Sequence, residues 1–89
     1  CKQAVSFKPD FPDAYYNLGI AYEKTGSYTE AEAAFQKVLK FRSGYPEAHY
    51  NLGIVYLLLR DKGSALERYE ILKSIDTELA DRLLKLIYK

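Results

Sequence analysis

The chain has 89 residues, with 13 Lys or Arg against 12 Asp or Glu, one His and one Cys. So short a chain has room for one thin core, and its net charge of +1 lacks the basic excess of a phosphate-neutralising surface. A lone cysteine excludes an internal disulfide, and no apolar run approaches the roughly 18 residues of a membrane-crossing helix.

The opening, CKQAVSFKPDF, lacks the charged head and apolar middle of a signal peptide, and the cytoplasm is the expected compartment. Residues 1–8 read as the end of a helix, with Ala4, Val5 and Phe7 as its apolar positions and Pro9 and Pro12 stopping it. From Asp13 to about Lys24, Ala14, Tyr15, Leu18, Ala21 and Tyr22 recur at spacings of three and four, one face of a helix. Gly26 suits the left-handed residue that follows a helix. Thr29 with Glu32 three residues on reads as a capping box, and the helix it opens carries Ala31, Phe35, Val38, Leu39 and Phe41 inward.

Ser43-Gly44-Tyr45-Pro46 breaks that helix and the scheme starts again. A helix over about 46–59 is followed by a turn at Arg60-Asp61-Lys62-Gly63, then Ser64 capping with Glu67 and a helix packing Ala65, Tyr69, Leu72 and Ile75. Asp76-Thr77 makes a last turn, and 77–88 reads as a final helix with Leu79, Leu83, Leu86 and Ile87 on one side. Six helical pieces and no strand pattern predict an all-α chain.

Residues 12–22 are PDAYYNLGIAY and residues 46–56 are PEAHYNLGIVY, identical at eight of eleven positions and 34 residues apart. A fixed period of that length is the mark of stacked helical hairpins, in which each unit covers its neighbour's apolar face. Gly19 and Gly53 lie inside helices, where glycine costs roughly 1 kcal/mol relative to alanine. They predict a close backbone approach there, to the helix carrying Ala31 in one unit and Ala65 in the other.

On Tyr15, Leu18, Gly19, Tyr22, Ala31 and Phe35, and again on His49, Leu52, Gly53, Tyr56, Ala65 and Tyr69, the chain resembles the tetratricopeptide repeat family. The resemblance covers about residues 1–79 and implies a right-handed superhelix of antiparallel hairpins with two full repeats, 12–45 and 46–76. Residues 1–11 would then end a truncated repeat, and 77–89 would form a C-terminal capping helix. The chain departs from the pattern where Arg60 stands at the place Gly26 holds in the first unit, which puts the second inter-helix turn in question.

In that family the first helix of each hairpin lines a concave groove. The resemblance places Asp13, Tyr16, Asn17, Ile20, Glu23 and Lys24 there, then Glu47, Tyr50, Asn51, Ile54, Leu57 and Leu58. Tyr16, Asn17 and Ile20 recur unchanged as Tyr50, Asn51 and Ile54, although the buried pattern does not need them. An amide supplies donors and an acceptor, and some family members clasp an extended peptide with such an asparagine ladder. The alternative is that Asn17 and Asn51 are repeat consensus on a solvated face. Leu57-Leu58-Leu59 cannot all be buried on one helix face, so they either offer a docking patch or pack on the terminal helix or a neighbouring chain.

One branch of the family grips a C-terminal carboxylate with basic groove residues, but Asp13 and Glu47 stand at that clamp's rim here. His49 is expected as a satisfied core residue, and one His with one Cys assembles neither a zinc site nor a nucleophilic pair. No catalytic residue, metal or cofactor is expected. The predicted function is a non-catalytic scaffold for a protein or peptide partner, the alternative being a substrate-recruiting accessory domain of a larger enzyme or secretion complex. Nucleic acid is not an expected partner, because Asp13, Glu23 and Glu47 replace a basic stripe. Self-association through the N-terminal edge is a further expectation.

Overall fold

The computed structural model describes residues 11–89; the expected helical piece over 1–8 lies outside them. Five helices follow one another: α1 (Phe11–Lys24), α2 (Tyr28–Phe41), α3 (Pro46–Leu58), α4 (Lys62–Lys73) and α5 (Thr77–Ile87). Among the described residues there is no strand. α1 and α2 form one antiparallel hairpin, α3 and α4 a second, and α5 closes the stack against both helices of the second.

The helix ends follow from local chemistry. Pro46 sits in the first turn of α3, where its missing N–H costs nothing. α1 ends in a paired-bond turn: the Ser27 amide donates to the Tyr22 carbonyl at 2.8 Å and Gly26 to Glu23 at 3.2 Å, with Gly26 at φ +82°. α3 ends the same way, Asp61 donating to Tyr56 at 2.8 Å and Arg60 to Leu57 at 3.0 Å. Arg60 takes φ +66° to do so. The turn in question therefore forms with an arginine in the glycine's place.

Both expected capping boxes are corrected. Thr29 lies inside α2, whose N-cap is Ser27 without a side-chain bond. Ser64 is the donor rather than the cap: its amide and hydroxyl bond the two carboxylate oxygens of Asp61 at 3.1 and 2.8 Å. Asp76 caps α5 in the same manner, accepting from the Leu79 amide. A carboxylate one turn earlier outcompetes a hydroxyl as acceptor for these orphan amides and also faces the positive end of the helix.

The core has two connected parts. Ala31, Phe35, Leu52 and Val55 form the first, flanked by Tyr16, Ile20, Tyr22 and Leu39. Ala65, Leu72, Ala80, Leu83 and Ile87 form the second, flanked by Tyr50, Ile54, Leu57 and Tyr69. Tyr56 packs against both. The two helical glycines meet different neighbours. A Cβ on Gly19 would stand 2.7 Å from the Phe35 ring, on the expected helix, whereas one on Gly53 would stand 2.7 Å from the Leu83 side chain. The close approach at Gly53 is thus to α5 and not to the helix of Ala65.

Five apolar residues expected inside are exposed: Ala14, Leu18, Ala21, Phe41 and Ile75. Phe41 ends α2 and stacks on Tyr15 with ring centroids 6.1 Å apart, and Ile75 has passed the end of α4.

Candidate functional site

α1 and α3, the first helices of the two hairpins, touch along a polar and aromatic seam. The Asn51 amide nitrogen donates to the Tyr16 hydroxyl at 2.8 Å and to the Glu47 carbonyl one turn back at 3.0 Å. The Tyr45 hydroxyl, on the turn before α3, donates to Asp13 at 2.7 Å. The Tyr16 ring stands 5.5 Å from that of Tyr45 and 5.8 Å from that of Phe35. Burial and the hydrogen bond to the Asp13 carboxylate push the Tyr45 phenol up to about 12, so it remains a donor at neutral pH. Burial also raises the Tyr16 phenol, while the bond from Asn51 works against that shift.

The predicted groove residues divide by environment. Asp13, Asn17, Glu47 and Leu58 are exposed, as is Lys24. Tyr16, Ile20, Tyr50, Ile54 and Leu57 are half-buried against the two core clusters. The view that the buried pattern does not need Tyr16, Ile20, Tyr50 and Ile54 is therefore corrected: each presents one edge outward and packs the other against the core. The leucine run splits likewise. Leu57 packs against the cluster holding the α5 side chains, while Leu58 and Leu59 stay exposed.

The two asparagines are not equivalent. Asn51 holds α1 and α3 in register through Tyr16, whereas the Asn17 side chain is exposed. Glu23, at the far end of α1, has one carboxylate oxygen enclosed without a hydrogen-bond partner, and burial raises its pKa. Glu23 and Glu47 both lie close enough to Tyr16 for their charge to raise its phenol further. The seam is thus acidic and aromatic, with the Asn51 amide bonded to the Tyr16 hydroxyl.

Sequence reasoning missed Tyr45, which orders both Asp13 and Tyr16. A signal was available: an aromatic residue precedes proline and an acidic residue in each unit, Phe11-Pro12-Asp13 and Tyr45-Pro46-Glu47.

His49 is buried with both ring nitrogens engaged: Nε2 donates to the Ser43 carbonyl at 2.8 Å, and Nδ1 accepts from Arg68 at 3.2 Å. That pattern requires the neutral ring, and burial lowers its pKa accordingly. A ring so occupied offers no free nitrogen for ligation or proton transfer. Among the described residues no group of three His, Cys, Asp or Glu is gathered to hold a metal ion, and no helix is long and apolar enough to cross a membrane.

Paired antiparallel hairpins with a 34-residue period, small residues at the contacts and a seam between first helices define an all-α helical-hairpin repeat. Residues 12–45 match the sequence profile of the tetratricopeptide repeat, and the second hairpin repeats residues 12–22 at eight of eleven positions and forms the same turn. The first hairpin is thus similar to a tetratricopeptide repeat. Comparison with curated proteins gives no match. Repeats of this family generally mediate protein–protein interaction, and the family is typically a non-catalytic scaffold.

Proposed function

We propose that this chain binds an extended peptide segment of a partner protein along the seam between α1 and α3. The observation that supports the reading is the recurrence of Tyr16-Asn17-Ile20 as Tyr50-Asn51-Ile54 on helices that the Asn51–Tyr16 bond ties together. Asn17 is the free amide of the pair and would bond a ligand's backbone, while Asn51 preorganises the surface. One hydrogen bond contributes only about 1 kcal/mol net, so the outward edges of Ile20 and Ile54, with Leu58, supply most of the remaining contact. Two hairpins present a small surface, and micromolar affinity, about −8 kcal/mol, is expected.

The experiment is to select peptides from a random display library against the 89-residue chain, then measure them against Asn17→Ala and Leu58→Asp. Both residues are exposed, so neither change should shift the thermal midpoint. Weaker binding of the selected peptides to both variants is expected. Peptides that bind both variants as tightly as the parent chain would remove the seam as the binding surface.

A further inference from the structure

One side of α1 is an apolar stripe that stays open to solvent. Ala14, Leu18 and Ala21 recur at spacings of four and three along it, and all three are exposed, Leu18 by 42%. On the opposite side of the helix Tyr16 and Ile20 pack against the first core cluster, so the stripe points away from the stack. Beside it an apolar groove of about 210 Å³ opens between α1 and α2, with Tyr15, Leu18, Tyr22, Ala33 and Ala34 among its walls. Leu18 stands at the middle of the three residues that α1 gives this groove.

The stripe is complementary to itself. If two copies of α1 lie antiparallel about a two-fold axis at Leu18, each residue lies level with the one equally far from Leu18 in the other direction. Leu18 then meets its own copy, and the small Ala14 and Ala21 on either side let the two backbones approach. A helix turns about 100° per residue, so Asp13 and Lys24, eleven residues apart, fall on the same flank of the stripe. The two-fold axis sets like flanks together, and Lys24 of each copy comes level, to within one residue, with Asp13 of the other. Both side chains are exposed, and Lys24 has no ion-pair partner among the described residues. Asp13 takes the Tyr45 hydroxyl on one oxygen, and a carboxylate accepts further donors.

We propose that the chain pairs with a second copy of itself through α1, as a closed two-fold dimer centred on Leu18. Each Leu18 seats at the other copy's groove, between Tyr15 and Tyr22, and two Lys24–Asp13 contacts fix the antiparallel register. An isologous contact of this kind uses up its own surface and stops at two copies. Asn17 shares the flank of Asp13 and Lys24, so both peptide seams open on one side of the dimer. The pairing itself does not depend on the peptide reading, since it uses a different side of α1.

The test is sedimentation equilibrium of the 89-residue chain. So narrow a contact belongs to the weak class, and the parent should pass from monomer at about 1 µM to dimer at about 500 µM. Leu18→Asp should stay monomeric over that range, with the dilute thermal midpoint of the parent because Leu18 is already exposed. Lys24→Glu sets like charges opposite Asp13 and should weaken the dimer about fivefold at low salt, the difference fading at about 0.5 M salt. It decides alone should Leu18→Asp also lower the midpoint. A parent that is monomeric throughout, its stripe covered from within the chain or left for another protein, overturns the pairing. So does a dimer that survives Leu18→Asp, a mass that climbs beyond two copies, or a Lys24→Glu dimer as tight as the parent's at low salt.

Discussion

Arg60 stands 34 residues after Gly26 and takes the same left-handed turn, at φ +66° against +82°, closed by the same pair of backbone bonds. A side chain in this region brings Cβ against the following carbonyl, at a cost on the order of 1–2 kcal/mol. The stack accepts that cost because the turn is fixed from both sides, by the end of α3 and by the Asp61 cap of α4.

Arg60→Gly is therefore expected to stabilise the chain. Relief of the strain is partly offset by glycine's greater unfolded-state freedom, about 0.5–1 kcal/mol. A net gain of up to about 1 kcal/mol should raise the thermal midpoint by about 4–8 °C. Gly26→Arg, the reverse change, should lower it. A midpoint lowered by Arg60→Gly would show that the turn carries less strain than glycine's unfolded-state freedom costs.

The two helical glycines should respond unequally to alanine. Each substitution gains roughly 1 kcal/mol in helix propensity and meets a contact of 2.7 Å. At Gly19 the obstacle is the stiff ring of Phe35; at Gly53 it is the flexible end of Leu83, and both side chains are fully buried. Overpacking costs typically 1–3 kcal/mol. Gly19→Ala should therefore destabilise by about 1–2 kcal/mol, and Gly53→Ala should fall near zero. Phe35→Leu should absorb most of the Gly19→Ala penalty in a double-mutant cycle; strict additivity of the two would count against the ring as its cause.

Acid should weaken the fold through His49. Burial, aided by the Arg68 charge, holds its folded pKa below the unfolded value, so the unfolded chain binds the extra proton. Stability is full above about pH 6.5 and declines as pH falls below it, until the folded ring itself protonates. Glu23 opposes this in a lower window. Its folded pKa is raised, so its contribution is unfavourable at neutral pH and is relieved as pH drops through that value. In a Glu23→Gln background, unfolding midpoints at about pH 7.5 and pH 5.5 should differ in the order given by the histidine. His49→Gln, which keeps a donor for Ser43 and an acceptor for Arg68, should flatten the difference. A slope that survives that change would assign the effect elsewhere.

Helix phase was legible because the chain states it twice: Leu18 and Leu52, Gly19 and Gly53, Tyr22 and Tyr56 each fix the same face. The caps were misread because a hydroxyl followed three residues later by glutamate also occurs inside a first turn, and only coordinates show that Asp61 lies within reach of Ser64. The exposure of Leu18 could not be read from its type, since burial depends on which helix arrives. The repeated residues of α1 and α3 were legible, but not their separate duties. Tyr16 and Ile20 serve the core with one edge, and the difference between Asn17 and Asn51 rests on a phenol 35 residues away.

Tyr56 belongs to both halves of the interior at once, and its hydroxyl also receives the Gln36 amide of the preceding hairpin at 3.2 Å. A linear array whose neighbours share a residue has no internal border along which it can come apart cheaply. Whatever loosens one hairpin strips packing from a ring that the other also needs, so the pair gives way together instead of peeling from one end.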